Sequence, residues 1–191
     1  MASLIRQNYH EDCEALINKQ INMELYASLC LLIHVENLKI SPSLNLLKYC
    51  VVSYYYDRDD VSLPGICKFF KKASGEEREH AMKLLEYQNR RGGKIVLQPI
   101  EAPAMQEWGT ALNGLEAALS LEKQVNQSLL DLHKKGDSCG DPHLTNFLEE
   151  HYLEEQVEAI KELSDYITQL KRAGPGGLGE YTFDRDLEKK E

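Results

Sequence analysis

Apolar residues return every three or four positions through most of the chain, and glycine and proline break the pattern at only a few places: Ser41-Pro42, Pro64-Gly65, Gly92-Gly93, Pro99 to Pro103, Gly136 to Pro142 and Gly174 to Gly177. That spacing is the helical period. It predicts long helices at about 8–36, 64–91, 110–135 and 142–172, and a short one at about 177–187. Asp141-Pro142 has the chemistry of a helix start, an N-cap followed by proline in the first turn, and Gly92-Gly93 that of a stop. Alternation of the strand type is confined to Lys94-Ile95-Val96-Leu97-Gln98, too short for a sheet. Four long helices with one extended link, about 92–109, describe an all-α four-helix bundle whose second and third helices run parallel through a crossover. One domain over 1–191 suits this length.

The apolar stripes carry charge where none belongs. In the second long helix Ile66, Phe69, Phe70 and Ala73 lead by threes and fours to Glu77, His80 and Leu84. The third stripe is Leu115, Ala118, Glu122, Val125, Leu129, Leu132; the first is Ile17, Ile21, Glu24, Ser28, Leu31. The fourth is Leu148, Tyr152, Gln156, Ala159, Leu163, Tyr166, Leu170. A buried carboxylate must be paired or bind a metal, and these stripes offer no Lys or Arg as counter-ion. A metal cation is the natural partner of Glu24, Glu77 and Glu122, with His80 and Gln156 beside them. Oxygen-rich ligands with one imidazole suit iron or manganese better than a structural zinc. Glu-x-x-His on an inward face is the ligand pattern of di-iron carboxylate bundles. For a single Glu, a polar residue on a helix edge would suffice as explanation; agreement of four helices makes that reading untenable.

Composition narrows the partners. The formal net charge is -9, with 42% hydrophobic and 28% charged residues, which disfavours nucleic acid and anionic membranes and suits cations. No apolar run reaches a membrane span, and the first residues have no signal core; the expected compartment is cytoplasmic. Five cysteines without a C-x-x-C pair read as free thiols in a reducing compartment. Trp108 reads as a packing residue, and His10, His133 and His143 as surface or interface residues.

A family resemblance enters on specific strings. Arg6 to His10, Met23-Glu24-Leu25-Tyr26-Ala27-Ser28, Tyr54 to Asp60, Glu76-Glu77-Arg78-Glu79-His80-Ala81, Gln88 to Gly93, Leu121 to Leu130, Asp141 to Leu144 and His151 to Val157 resemble ferritin, over nearly the whole chain except about 31–48. The resemblance implies a ferritin-like bundle with a short fifth helix, a hollow twenty-four-subunit shell, alone or with other ferritin subunits, and stored ferric mineral. By position in motif it is of the heavy-chain, ferroxidase type: Glu24, Glu77 and His80 for one iron, Glu122 and bridging Glu77 for the second, Gln156 nearby, Glu76 as a transit carboxylate, and O2 as oxidant. At the three-fold channel the family's Asp and Glu read Asn146 and Glu149, and Thr182 and Asp186 depart from the usual four-fold lining.

The largest departure is an insertion of about 18 residues, approximately Leu31 to Lys48. An uninterrupted helix would grow by roughly 27 Å, but Pro42 opposes that, and Ser41-Pro42 predicts a new helix at about 42–57. Either Leu31 takes the place of the family's site tyrosine, or Tyr49 does, eight residues before Asp57, with the insert looped out. The segment is either a new surface element or retained non-coding sequence. If it displaces Glu24, the chain becomes a structural subunit that does not oxidise iron. Another di-iron bundle enzyme would want a second Glu-x-x-His on the fourth helix, where Leu148 precedes His151 and Leu153 precedes Gln156.

Overall fold

The computed structural model describes residues 3–31, 52–100, 107–174 and 176–190. The helices are α1 (Glu11–Leu31), α2 (Val52–Tyr56), α3 (Pro64–Arg90), α4 (Ala111–Ser138), α5 (Pro142–Leu148), α6 (Glu154–Ala173) and α7 (Gly177–Lys189), and a π-helical turn, Glu149–Leu153, joins α5 to α6. The fold is all-α, and no strand occurs among the described residues.

The predicted ends are set by local chemistry. Asp141 caps α5, accepting from the Leu144 N–H at 3.1 Å, with Pro142 in the first turn. Gly92 (φ 74°) ends α3 in the left-handed region that glycine tolerates. The start of α4 falls where expected, but its cap was not foreseen. Thr110 Oγ1 accepts from Asn113 N at 3.3 Å, and Asn113 Oδ1 accepts from Thr110 N at 3.2 Å, a reciprocal cap. The first helix begins at Glu11 rather than about 8, because Asn8 has a left-handed φ of 46°. Residues 32–51, which hold most of the expected insertion, Tyr49 and the start of the expected 42–57 helix, lie outside the described residues.

The crossover runs as the spacing requires. Asn18 Nδ2 donates to Lys94 O at 2.9 Å and Asn18 Oδ1 accepts from Val96 N at 3.1 Å. Asn22 repeats this one turn on, with Gln98 O at 2.9 Å and Gln98 N at 3.1 Å. Two side-chain amides thus satisfy an extended backbone that has no strand to pair with. The link descends along α1, and Tyr56 Oη donates to Thr110 O at 2.8 Å at its far end. Helices α3 and α4 therefore start at the same end of the bundle and run parallel.

The core is divided. One apolar cluster gathers Leu31, Val52, Tyr56, Phe70, Leu115 and Tyr166. The other gathers Ile17, Ile21, Leu84, Leu129, Leu144 and Tyr152. Each fully buried Leu, Ile or Phe contributes about 1.5–3 kcal/mol, so either cluster alone is a substantial core. Along α3, α4 and α6 the residues between the two clusters are Glu77 and His80, Glu122, and Gln156. The short C-terminal helix, α7, is held by Asp184, fully buried, whose Oδ1 accepts from Ile66 N at 2.8 Å and so caps α3 from another helix. Gly65 is required there, since a Cβ would lie 2.1 Å from Asp184 O.

Candidate metal centre

Between the clusters, five polar side chains meet in the dry interior. Glu24 is 0% exposed, Glu77 4%, His80 7%, Glu122 6% and Gln156 3%. Ligand atoms of Glu24, Glu77 and His80 all lie within 4.8 Å of one another. Glu77 and His80 are three apart on α3, so one turn brings both to the same face, and His80 Nδ1 is 3.8 Å from Glu77 Oε1. Glu122 comes from α4 and receives a hydrogen bond from Gln156 Nε2 of α6 at 3.0 Å.

The donor set is anionic and incompletely paired. Glu24 Oε2, Glu77 Oε2 and Gln156 Oε1 are buried with no hydrogen-bond partner among the described residues. No Lys or Arg of the described residues is buried. Leaving such oxygens unmet costs about 1–3 kcal/mol each, more if charged. A cation held by Glu24, Glu77 and His80 would neutralise the two carboxylates, so the residues fit a hard metal ion. Burial pushes the Glu24 carboxyl well above the ordinary range, and the facing Glu77 adds to this. Burial, then the charge of Glu77, pushes Glu122 up to about 7. Burial disfavours the His80 imidazolium, but Glu77 and Glu155 outweigh it and raise the pKa.

Three supporting groups were not foreseen. Gln20 Nε2 donates to Glu24 Oε1 at 2.6 Å; its sequence signal is the i, i+4 spacing on one helix. Glu155 Oε2 lies 2.6 Å from His80 Nε2, and as Gln156's neighbour it carries no stripe signal. Tyr152 Oη donates to His80 O at 2.9 Å. The π-helical turn ends just before Glu154. It lies between buried Leu148 and Gln156, and π-helical turns are common beside functional sites.

The remaining expected residues fall as follows. A cleft of about 750 Å³ opens on the site and is lined by Leu31, Glu76, Glu77, His80, Glu122, Glu155 and Gln156, among others. Glu76 is exposed on its wall, 3.8 Å from Lys72. Leu31 lines the cleft, whereas its rival in register, Tyr49, lies outside the described residues. Trp108 is buried in the first cluster. His133 Nε2 pairs with Glu149 Oε1 at 2.6 Å, His143 Nδ1 with Tyr87 Oη at 3.2 Å, and His10 is exposed beside Asp12; none joins the metal centre. Asn146 Nδ2 reaches Glu150 Oε2 at 3.5 Å, and Thr182 and Asp186 are exposed on α7. No helix of the described residues is long and apolar enough to cross a membrane.

Comparison with known proteins gives a consistent answer. A sequence model of the ferritin-like domain matches residues 45–173. A ferritin of Pacifastacus leniusculus is 54% identical over 190 residues, covering 100% of this chain and 94% of its own. A soma ferritin of Lymnaea stagnalis is 58% identical over 184 residues, covering 96% and 95%. The middle subunit of ferritin from Aquarana catesbeiana is 50% identical over 187 residues, covering 97% and 96%.

Proposed function

The chain belongs to the ferritin family, and from that premise we propose that it is an iron-storage subunit of the heavy-chain type, which oxidises Fe(II) with O2 inside the bundle and passes Fe(III) to a mineral in a twenty-four-subunit shell. The observation that carries the oxidation step is the cluster of Glu24, Glu77 and His80, with Glu122 and Gln156 adjoining, in which Glu24 Oε2, Glu77 Oε2 and Gln156 Oε1 have no hydrogen-bond partner among the described residues.

Iron is the substrate. Glu24, Glu77 and His80 hold one Fe(II), Glu122 and Glu77 hold a second, and Gln156 Oε1 faces the pair. Each Fe(II) gives up one electron to O2. Carboxylates favour this because the higher charge of Fe(III) gains more from hard anionic ligands. The buried setting excludes water and strengthens those charges. Gln20 orients Glu24, and Gln156 Nε2 orients Glu122, so neither carboxylate needs to reorganise when metal arrives. Glu155 holds His80 from its other nitrogen. Glu76, on the cleft wall, takes the outgoing ion. The acidic chain, at net charge -9, suits a cationic cargo. Assembly without oxidation is disfavoured by buried Glu24, which keeps its place in the cluster although α1 is described only to Leu31.

Anaerobic titration with Fe(II), followed calorimetrically, tests the ligand assignment. Two tight ions per chain are expected in the parent and at most one in Glu122→Ala. Unchanged stoichiometry in the variant would remove Glu122 from the site.

A further inference from the structure

The second core cluster ends in a pair of thiols that the iron chemistry does not use. Cys13, in the first turn of α1, is fully buried in that cluster, and Cys139, the C-cap of α4, packs against it half-buried. The two thiols lie close enough to interact directly. Both flanks of the pair are pinned. Lys135 Nζ meets Asp12 Oδ2 at 2.5 Å, and Asn8 Nδ2 donates to Gly140 O at 3.0 Å. Cys30 and Cys67, the other buried thiols among the described residues, lie on different stretches of α1 and α3.

We propose that Cys13 and Cys139 are a peroxide-oxidised pair that closes to an intrachain disulfide, tying the start of α1 to the end of α4. The more exposed Cys139 reacts first: it loses its proton to solvent, its thiolate sulfur attacks one peroxide oxygen, the O–O bond breaks, hydroxide leaves and takes a proton back from solvent as water, and a sulfenic acid forms. The Cys13 sulfur then attacks the Cys139 sulfur. The S–S bond forms, the S–O bond breaks, and the departing hydroxide takes the Cys13 proton as water. In sum, two thiols lose two protons and two electrons, and one hydrogen peroxide becomes two waters. Lys135 stands near both sulfurs. Burial and the neighbouring thiol push Cys13 up to about 12, and its full burial leaves the half-buried Cys139 as the sulfur that peroxide reaches.

The test treats the purified full chain with a small excess of hydrogen peroxide, then blocks free thiols and maps tryptic peptides without reduction. A cross-link between peptides 7–19 and 136–161 is expected, the denatured thiol titre falling from five to three per chain. Cys139→Ser, at the half-buried cap, is expected to abolish the cross-link and leave Cys13 as a thiol; Cys13→Ser is expected to leave Cys139 oxidised to sulfenic acid, trapped by a dimedone-type reagent. Sulfinic acid on Cys139 in the parent without a cross-link, or a cross-link only between chains on a non-reducing gel, would overturn the proposal.

Discussion

Helices α1 and α3 bury two polar clusters between them, and the two are finished differently. Near the end of α3, Gln88 is fully buried, yet every polar atom is met: Nε2 donates to Glu14 O at 2.9 Å and Lys94 O at 3.3 Å, and Oε1 accepts from Tyr9 Oη. Beside it Arg91 spans both oxygens of buried Asp141 at 3.0 and 2.7 Å, while Asp141 also caps α5. Eleven residues earlier on the same helix, Glu77 is as deeply buried but keeps an oxygen without a partner, as do Glu24 and Gln156. Burial of charge is common to both. What separates a structural network from a metal centre is whether the protein supplies its own counter-ion.

The comparison predicts opposite signs for similar surgery. Arg91→Ala removes the counter-ion of Asp141 and leaves a buried charge unpaired; a loss of about 3–5 kcal/mol is expected by urea unfolding. Glu24→Gln in metal-free protein does the reverse. It removes one of several mutually repelling carboxylates, and a gain of about 1–3 kcal/mol is expected in the same assay. Destabilisation by Glu24→Gln would mean that the layer is already neutralised internally.

Titration separates the clusters as well. Glu122 titrates near 7 in the metal-free fold, above its ordinary value of 4.5. Between those values the folded chain holds a proton that the unfolded chain has lost. Stability from this group is therefore full below about pH 4.5 and declines as pH rises toward 7. Glu122→Gln is expected to flatten that decline in thermal melts of metal-free protein, and an identical slope would contradict the burial assigned to it. The smallest effect concerns the crossover. Asn22→Ala frees two backbone groups of the link, which water can reach, and about 0.5–1.5 kcal/mol is expected, with faster amide exchange at Gln98 as the local readout.

Much of this was legible in the sequence because periodicity and ligand spacing are local. Glu77 and His80 break a stripe that Phe70 and Leu84 define, and Glu122 breaks another between Ala118 and Val125. The crossover was legible from the length of the glycine- and proline-bounded link. The groups that complete the site were less so. Glu155 reaches His80 from the exposed edge of α6 through a long side chain, so no stripe marks it. The π-helical turn was hidden because the four-residue steps Leu148, Tyr152, Gln156 also fit an α-helix. The trans cap by Asp184 depends on how α7 docks, which no local pattern encodes. Between Leu31 and Tyr49 periodicity alone leaves two rivals; Leu31 lines the cleft, and Tyr49 lies outside the described residues.

The most direct test is the initial rate of Fe(II) oxidation in air, followed by ultraviolet absorbance, for the parent, Glu77→Ala and His80→Ala, with Arg91→Lys as a control in the satisfied cluster. Fast oxidation in the parent and control, with a loss of at least about tenfold in both site variants, is the expected result. Equal rates in parent and site variants would contradict the assignment of the buried carboxylate layer as the place where iron is oxidised.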